Sequence, residues 1–419
     1  MFWLTLLAFL VILSLLVFVH ELGHFVVAKL SKVEVEEFAF GFPPRLFGFQ
    51  VFKSKKPKEI VTHEEIKIEI EDVKSGTTER IEETITEDSK TSEKVRSQTI
   101  WKFAWGHRAV SKLVELGAKN HQTTYCINAI PFGGYVKMLG EEDNSSSPRA
   151  FVNKKARFRF AIVIAGVLMN LILAGVLLSI GYMVGTTPIR LDPARLSGSQ
   201  TAEVTIAEVQ DNTPARVAGL KVGDIILNYN SATDFSAFTH SNLGQQINLT
   251  VSRDNQILNK DVVLGSSSDA PLGAGVVDII KVKLPFFRAI AAGFEDAFLT
   301  TGYIVVLLWQ FITHIFVPGE VANNVAGPVK IFNITGEAVK MGFGYLIQFA
   351  ALLSINVALV NILPLPALDG GRAVLIFAEG VFRRKVIKTE FENLLHMIGF
   401  IVLMVLVVAV TLREIIALF

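Results

Sequence analysis

Apolar segments long enough to cross a lipid bilayer constrain the fold of this 419-residue chain more than any other feature, and residues 285–317 are also apolar enough to be called a span. The stretches between them are polar, although hydrophobic residues make up 51% of the chain. This pattern predicts an α-helical polytopic membrane protein with soluble insertions. The expected spans are residues 1–30, 160–184, 343–366 and 394–418.

The charge balance and the cysteine count exclude two further possibilities. Charged residues make up 19% of the chain and the net charge is +1, so the composition gives no electrostatic reason to expect nucleic acid as a partner. The lipid bilayer is the expected partner instead. Cys126 is the single cysteine, which excludes an intrachain disulfide and a cysteine-rich metal site.

The first apolar segment contains the sequence His20-Glu21-Leu22-Gly23-His24. On a helix, His20 and His24 lie four residues apart on one face, where both can bind the same metal ion. Glu21 lies beside them, placed to act on water rather than to bind the metal. The plainer alternative is a hydrogen-bonded pair of buried histidines, but ionisable groups within a membrane span are costly and usually functional. The segment lacks a basic start and a small-residue cleavage site, so we expect an uncleaved helix rather than a signal peptide.

A catalytic zinc ion usually takes three protein ligands, so the two histidines require a third. The third expected span ends in Pro364-Leu365-Pro366-Ala367-Leu368-Asp369, in which two prolines break the helix. A carboxylate at Asp369 would complete a site of two histidines and one acid. The alternative is that Asp369 only caps the helix that follows.

Basic residues predict which side of the membrane each end occupies. They precede the second span and follow the third, so both of those ends should be cytoplasmic, and the site should face the cytoplasmic side. Residues 195–280 should then be extracytoplasmic. Residues 285–342 should lie at the membrane interface, because a further crossing would put Asp369 on the wrong face. The basic residues are Lys154, Lys155, Arg157 and Arg159, then Arg383, Arg384, Lys385 and Lys388.

The cytoplasmic loop, residues 31–159, contains a polar insertion at 53–120 and a strand-like segment at 129–139. Ile66, Ile68 and Ile70 alternate with polar residues, which is typical of a hairpin, although a loosely ordered insert fits equally well. The periodicity from Trp101 to Lys119 predicts a helix. Within 129–139, the residues Gly133, Gly134, Tyr135 and Val136 could form an exposed edge that holds a peptide in extended form. An ordinary hairpin is the alternative.

Residues 195–280 are expected to form a small β-rich domain. Its sequence Gly219-Leu220-Lys221-Val222-Gly223-Asp224-Ile225-Ile226, with Pro214-Ala215 upstream, resembles that of a PDZ domain. Domains of that kind bind an extended peptide by adding it as a strand. Another small β-rich fold is the alternative.

The two motifs together, His-Glu-Leu-Gly-His in the first span and Asn-x-x-Pro-x-Pro-x-Leu-Asp-Gly in a later one, resemble the site-2 protease family of intramembrane zinc metalloproteases. With one external PDZ domain and a membrane-dipping strand, the chain is most similar to the bacterial RseP-like branch. The resemblance implies that His20, His24 and Asp369 bind zinc, that Glu21 is the catalytic base, and that Asn361 and Asn356 lie near the substrate.

The same resemblance implies a function in regulated intramembrane proteolysis at the bacterial inner (plasma) membrane. The substrates would be single-span membrane proteins, such as regulators of the anti-sigma-factor type, or remnant signal peptides. Two other functions remain possible from sequence: a non-catalytic PDZ-containing binding protein and a metal transporter. The chain departs from the family pattern at Val167, where proline is common, and in the insertion at 53–120.

Overall fold

The computed structural model describes residues 1–55, 80–81, 97–141, 145–253, 256–266, 270–314, 326–384, 387 and 389–417. Its helices are α1 (Phe2–Leu30), α2 (His107–Lys119), α3 (Ala156–Val184), α4 (Pro214–Val217), α5 (Ala232–Ser241), α6 (Phe286–His314), α7 (Pro328–Met341), α8 (Phe343–Asn361), α9 (Asp369–Phe382) and α10 (Thr389–Ile416). Its strands are β1 (Val35–Lys55), β2 (Arg80–Ile81), β3 (Ser97–Trp105), β4 (Thr124–Met138), β5 (Ser199–Val209), β6 (Ile225–Ile226), β7 (Gln246–Arg253), β8 (Gln256–Val263) and β9 (Ala274–Lys283).

Five helices in the described ranges are long and apolar enough to cross a membrane, so the chain is a multi-pass membrane protein. They are α1, α3, α6, α8 and α10. The sequence predicts four spans, whereas length and composition give five, because α6 is one continuous helix of 29 residues in the segment expected to lie at the interface.

The chain divides into two compact units. The first unit consists of Met1–Phe9, Leu171–Leu359 and Val407–Phe419. The second unit consists of Leu10–Asn170 and Val360–Leu406.

In the second unit, four strands form a sheet in the order β2-β3-β1-β4. Helix α2 covers one face of this sheet, where Val110 and Leu113 pack into a core that includes Ala39, Ala104 and Cys126. Helix α2 lies close to β1, because a Cβ added at Gly48 would lie 2.7 Å from a methyl group of Val110. The buried thiol of Cys126 is only 4% exposed.

The helix predicted from Trp101 begins only at His107, so that prediction is wrong at its start. Trp101 and Trp105 lie on β3, where they alternate with Lys102 and Ala104 and share one face with Phe103. The spacing of four between the two tryptophans fits a helical face, but it equally fits the two-residue repeat of a strand. Aromatic residues favour the strand here because they stack against Phe47 and Phe49 of β1.

The strand expected at 129–139 lies within β4 apart from its last residue. The turn in the middle of β4 packs on α1, because the Ser14 hydroxyl donates to the carbonyl oxygen of Pro131. Gly133 has a φ of +69°, and a Cβ there would lie 2.8 Å from a methyl group of Val17. Ser14 and Val17 belong to the apolar part of α1. The turn of β4 therefore packs against a helix that is long and apolar enough to cross a membrane. The possible hairpin around Ile66, Ile68 and Ile70 lies outside the described residues.

In the first unit, five strands form a sheet in the order β8-β7-β6-β5-β9, and α4 and α5 accompany it. The core contains Ile206, Leu220, Phe235 and Leu249, each at most 2% exposed. The buried carboxylate of Asp224 accepts two hydrogen bonds from the Arg253 guanidinium, each 2.6 Å long. It also accepts one from the backbone N–H of Lys221, so the turn between α4 and β6 is fixed by a paired charge.

Helix α6 carries a buried carboxylate, Asp296, which has no exposed surface. Its oxygens accept hydrogen bonds from the Tyr182 hydroxyl and from three successive backbone N–H groups in the segment after α3. Those three donors belong to Ile189, Arg190 and Leu191, at 2.9, 2.8 and 3.3 Å. Burial of a charged group is tolerated where this many donors satisfy it, so Asp296 anchors the segment that leaves α3.

Candidate metal centre

Three side chains meet inside the second unit although they lie far apart in sequence. His20 and His24 project from one face of α1, and their Nε2 atoms are 3.2 Å apart. Oδ2 of Asp369 lies 2.8 Å from Nε2 of His20 and 3.3 Å from Nε2 of His24. The ligand atoms of all three residues lie within 4.8 Å of one another, so the cluster could hold a metal ion.

The orientation of both imidazoles is set from α3. Nδ1 of His24 donates to the backbone carbonyl oxygen of Ile162 at 2.8 Å, which leaves Nε2 as the lone-pair nitrogen. The side-chain amide of Asn170 lies 3.3 Å from Nδ1 of His20. A metal-binding histidine usually donates the N–H of its second ring nitrogen to an acceptor, as His24 does to Ile162, so this contact fits a metal site.

Gly166 of α3 provides the space in which the two Nε2 atoms face each other. A Cβ at this position would lie 2.5 Å from Nε2 of His24 and 2.7 Å from Nε2 of His20. The site therefore tolerates no side chain at residue 166. The donor set of two imidazoles and one carboxylate is the one used by catalytic zinc, and zinc fits here both by ligand chemistry and by the space that Gly166 leaves.

Asp369 lies just after the third expected span, beyond the point where its helix is interrupted. Helix α8 ends at Asn361, and Asp369 is the first residue of α9. The turn between them is tight, because a Cβ at Gly370 would lie 2.2 Å from the carbonyl oxygens of Ile362 and Leu363. The N-cap of this helix is Leu368 and it has no side-chain cap, so the capping alternative is wrong; the Asp369 carboxylate contacts both histidines instead.

Glu21 is half-buried and lies within electrostatic reach of His20, His24 and Asp369. Its position next to His20 on α1 places the carboxyl beside the cluster rather than within it, because only the other three residues form the ligand group. Glu141, which follows β4, also interacts with it electrostatically.

The residues expected to contact a substrate have different surroundings. Asn361 is half-buried at the end of α8, whereas Asn356 is exposed and its side chain donates to the Leu352 carbonyl of its own helix. Gly133, Gly134, Tyr135 and Val136 all lie on β4.

The Tyr135 hydroxyl donates to the buried carboxylate of Glu37 at 2.7 Å. The same carboxylate forms a salt bridge with Arg45. Burial, and then this hydrogen bond to Glu37, raise the pKa of Tyr135. The Tyr135 hydroxyl is thus engaged within the sheet.

Sequence reasoning assigned no role to Gly166, Ile162 or Asn170 in the metal centre. Gly166 and Asn170 belong to the sequence Gly166-Val167-Leu168-Met169-Asn170, in which Val167 stands where the family commonly has proline. Their spacing of four residues was a usable signal, because it puts both on one face of α3. The carbonyl oxygen of Ile162 had no signal, because any residue supplies the same backbone group.

Comparison with known proteins agrees with this geometry. The profile of peptidase family M50 matches residues 8–56 and 103–406. A protein of Clostridium acetobutylicum is 30% identical over 96% of this chain and 95% of its own length. The protein named regulator of sigma-W protease RasP of Bacillus subtilis is 30% identical over the whole of both chains. The zinc metalloprotease RasP of Oceanobacillus iheyensis is 26% identical over 99% of both chains.

The matched residues include both halves of the metal centre, since His20 and His24 fall in the first matched range and Asp369 in the second. The unmatched stretch between the two matched ranges, 57–102, falls within the polar insertion. The chain belongs to peptidase family M50, the site-2 protease family of membrane zinc metalloproteases.

Proposed function

We propose that the protein hydrolyses peptide bonds within transmembrane segments, with zinc held by His20, His24 and Asp369 and with Glu21 as the catalytic base. The observation that carries this assignment is the contact between His20 and Asp369, which joins residues 349 positions apart at 2.8 Å. A carboxylate that served only as a helix cap would have no reason to contact both imidazoles.

The chain's own residues account for the proton transfers. Zinc, when bound, supplies a Lewis acid that polarises a carbonyl group and makes water more acidic. Glu21 takes the proton from the attacking water and then delivers it to the leaving amine. Ile162 and Asn170 keep the imidazoles oriented while this happens, and the surrounding apolar helices limit the access of bulk water.

A helical substrate hides its amide groups in its own hydrogen bonds, so it must unwind before it is cut. The sheet order places β4 at an edge, with β1 as its neighbour. The arm from Gly134 to Met138 pairs with β1 on one side, which leaves the other side for an extended peptide. We assign substrate pairing to this arm, and the roles of Asn361 and Asn356 near the substrate remain part of the proposal.

Cysteine cross-linking tests the strand. Lys137 is exposed on β4, so Lys137→Cys should form a disulfide with a single cysteine placed near the scissile bond of a substrate trapped on the Glu21→Gln variant. Lys112→Cys, at an exposed position of α2, is the matched control and should give no product. Equal cross-linking at both positions would show that the substrate does not pair with β4.

Contacts within the first unit support four crossings. The N–H of Leu284, just before α6, donates to the carbonyl of Tyr182 near the end of α3, and Gln348 of α8 donates to the carbonyl of Thr187. Helices α6 and α8 therefore both begin beside the end of α3. The segment between them starts and finishes on one side, and α7 has only 14 residues, about 21 Å, for a return crossing.

Two further contacts hold α6 near the end of α3. Asp296 binds the backbone at residues 189–191, and the Arg190 guanidinium lies 4.2 Å from the centre of the Tyr303 ring, two helical turns further along α6. On this topology the metal centre faces the cytoplasmic side and the sheet of β5–β9 is extracytoplasmic, in the bacterial plasma membrane.

Residues 195–280 are assigned the role of a PDZ domain that captures a peptide. The Gly-Leu-x-x-Gly-Asp sequence supports this, because its Asp224 is the paired carboxylate that fixes the turn before β6. The substrates would be single-span membrane proteins, of the anti-sigma-factor type or remnant signal peptides. The name of the Bacillus subtilis relative, regulator of sigma-W protease, supports a regulatory substrate.

Metal removal tests the proposed function as a whole. A chelator should stop cleavage of a single-span substrate by the purified protein in detergent, and added zinc should restore it, because the site has no protein group that can replace the metal. Measuring product by mass spectrometry also locates the cut within the substrate. Undiminished cleavage after complete zinc removal would contradict the assignment, and metal flux into liposomes without cleavage would indicate a transporter.

A further inference from the structure

The turn that precedes Asp369 contacts the last helix, α10, through a hydrogen bond to a histidine side chain. Pro364 and Pro366 have no N–H group, so three residues between positions 364 and 368 can donate. Leu365 donates to the carbonyl of Leu363 and Leu368 to that of Leu365. The remaining N–H, that of Ala367, donates to Nδ1 of His396 on α10 at 3.0 Å.

The geometry at Ala367 shows that this contact matters for the shape of the turn. Ala367 has a φ of +78°, a conformation that residues other than glycine rarely adopt. Such a conformation persists only where neighbouring contacts enforce it. One helical turn after His396, Gly399 packs against the same segment, because a Cβ there would lie 2.6 Å from the carbonyl carbon of Pro366.

Helix α10 buries little of its apolar surface within the protein. None of the residues in the most apolar window of α10 is buried within the protein. Met397 and Phe400, which lie close to His396 on this helix, are more than half exposed. A histidine in such a helix is costly unless it has a polar partner. The backbone N–H of Ala367 is that partner, and Nδ1 of His396 is thereby turned to the peptide rather than to the metal centre.

We propose that His396 is a positioning residue for Asp369: by accepting from Ala367, it fixes the turn that sets where the third zinc ligand lies. The inference deepens the proposed function and rests on it for the ligand role of Asp369. Displacing a ligand by less than 1 Å weakens a metal site, and loss of an outer partner typically costs about 10- to 100-fold in metal affinity.

Zinc affinity of the purified full-length protein in detergent, measured by competition with a chromogenic chelator, tests the proposal without any substrate. His396→Leu keeps an apolar side chain but cannot accept a hydrogen bond, and we expect its zinc Kd to rise about 10- to 100-fold. His396→Asn can present its amide oxygen near the position of Nδ1 and should recover most of that loss. Met397→Leu, an exposed neighbour on the same helix, should bind zinc like the unmodified protein.

Two results would overturn the proposal. One is a His396→Leu protein that binds zinc as tightly as the unmodified protein and shows the same visible spectrum when loaded with Co²⁺. The other is a His396→Asn protein as weak as His396→Leu, with both equally reduced in the thermal stability of the metal-free form, since this would indicate a packing role. If His396→Leu does not fold, Gly399→Ala displaces the same turn and should weaken zinc binding, and unchanged binding would again overturn the proposal.

These readouts are independent of catalysis. If the protein bound zinc but cut no substrate, the proposed function would fail while the effect of His396 on zinc affinity would stand. Unchanged zinc affinity in His396→Leu, together with metal-dependent cleavage, would instead refute only the positioning role.

Discussion

Replacing Glu21 by Gln should abolish cleavage and leave zinc bound. The amide has nearly the same shape as the carboxylate but cannot take a proton from water, and a general base contributes about 10²- to 10⁴-fold to the rate. His20, His24 and Asp369 are untouched, so the zinc content of the purified protein should not change. Turnover of a single-span substrate, together with metal analysis of the same sample, measures both quantities.

The matched control for that experiment is Glu115→Gln, the same substitution at an exposed position of α2. It should cleave at the unmodified rate. Cleavage by Glu21→Gln at the rate of this control would show that another group is the base. Loss of zinc from Glu21→Gln would show that Glu21 supports the metal ligands rather than the proton transfer.

Gly166→Ala should remove both zinc and activity, although residue 166 is not a ligand. The new methyl group would lie 2.5 Å from Nε2 of His24 and 2.7 Å from Nε2 of His20, closer than Cβ atoms approach other heavy atoms. Backbone packing of α1 on α3 is already tight at Gly23, where a Cβ would lie 2.4 Å from the Ala165 carbonyl oxygen, so the helices cannot separate cheaply. A misplacement of about 1 Å at a reacting centre costs about 10²-fold in rate.

Metal analysis and substrate turnover are again the measurements. Gly302→Ala is the control, because Gly302 lies within helix α6 and a Cβ there meets nothing within 4 Å. It should retain full zinc and activity. A Gly166→Ala protein with a full complement of zinc and unmodified turnover would show that the two imidazoles do not face the metal as described.

The proposed ligand set, His20, His24 and Asp369, illustrates what a sequence can and cannot reveal about such a site. His20 and His24 were accessible because a helix has a fixed period, and Asp369 because charge asymmetry fixes which side of the membrane a helix end occupies. The contribution of α3 was not accessible in the same way. Gly166 contributes because it has no side chain and so leaves space for the imidazoles. Ile162 contributes through its backbone carbonyl, a group that every residue has.

Two departures in the fold have physical causes of the same kind. Trp101 and Trp105 are four residues apart, a spacing that fits both a helix face and a strand face, and only the stacking against β1 decides between them. In α6, apolar length suggests a crossing, whereas Asp296 and the starting points of α6 and α8 oppose one. Length shows that a helix is able to cross, so the proposal that α6 does not cross rests on these contacts.

The burial of Cys126 has a practical consequence for labelling experiments on this protein. Burial, and then the neighbouring Glu37 carboxylate, raise the pKa of the Cys126 thiol, so the reactive thiolate is scarce at neutral pH. A maleimide or spin label added to the native sequence should therefore find almost no target. Single reporter cysteines can be introduced anywhere on the surface without first replacing the natural one, and distance measurements across the bilayer can begin from the unmodified background.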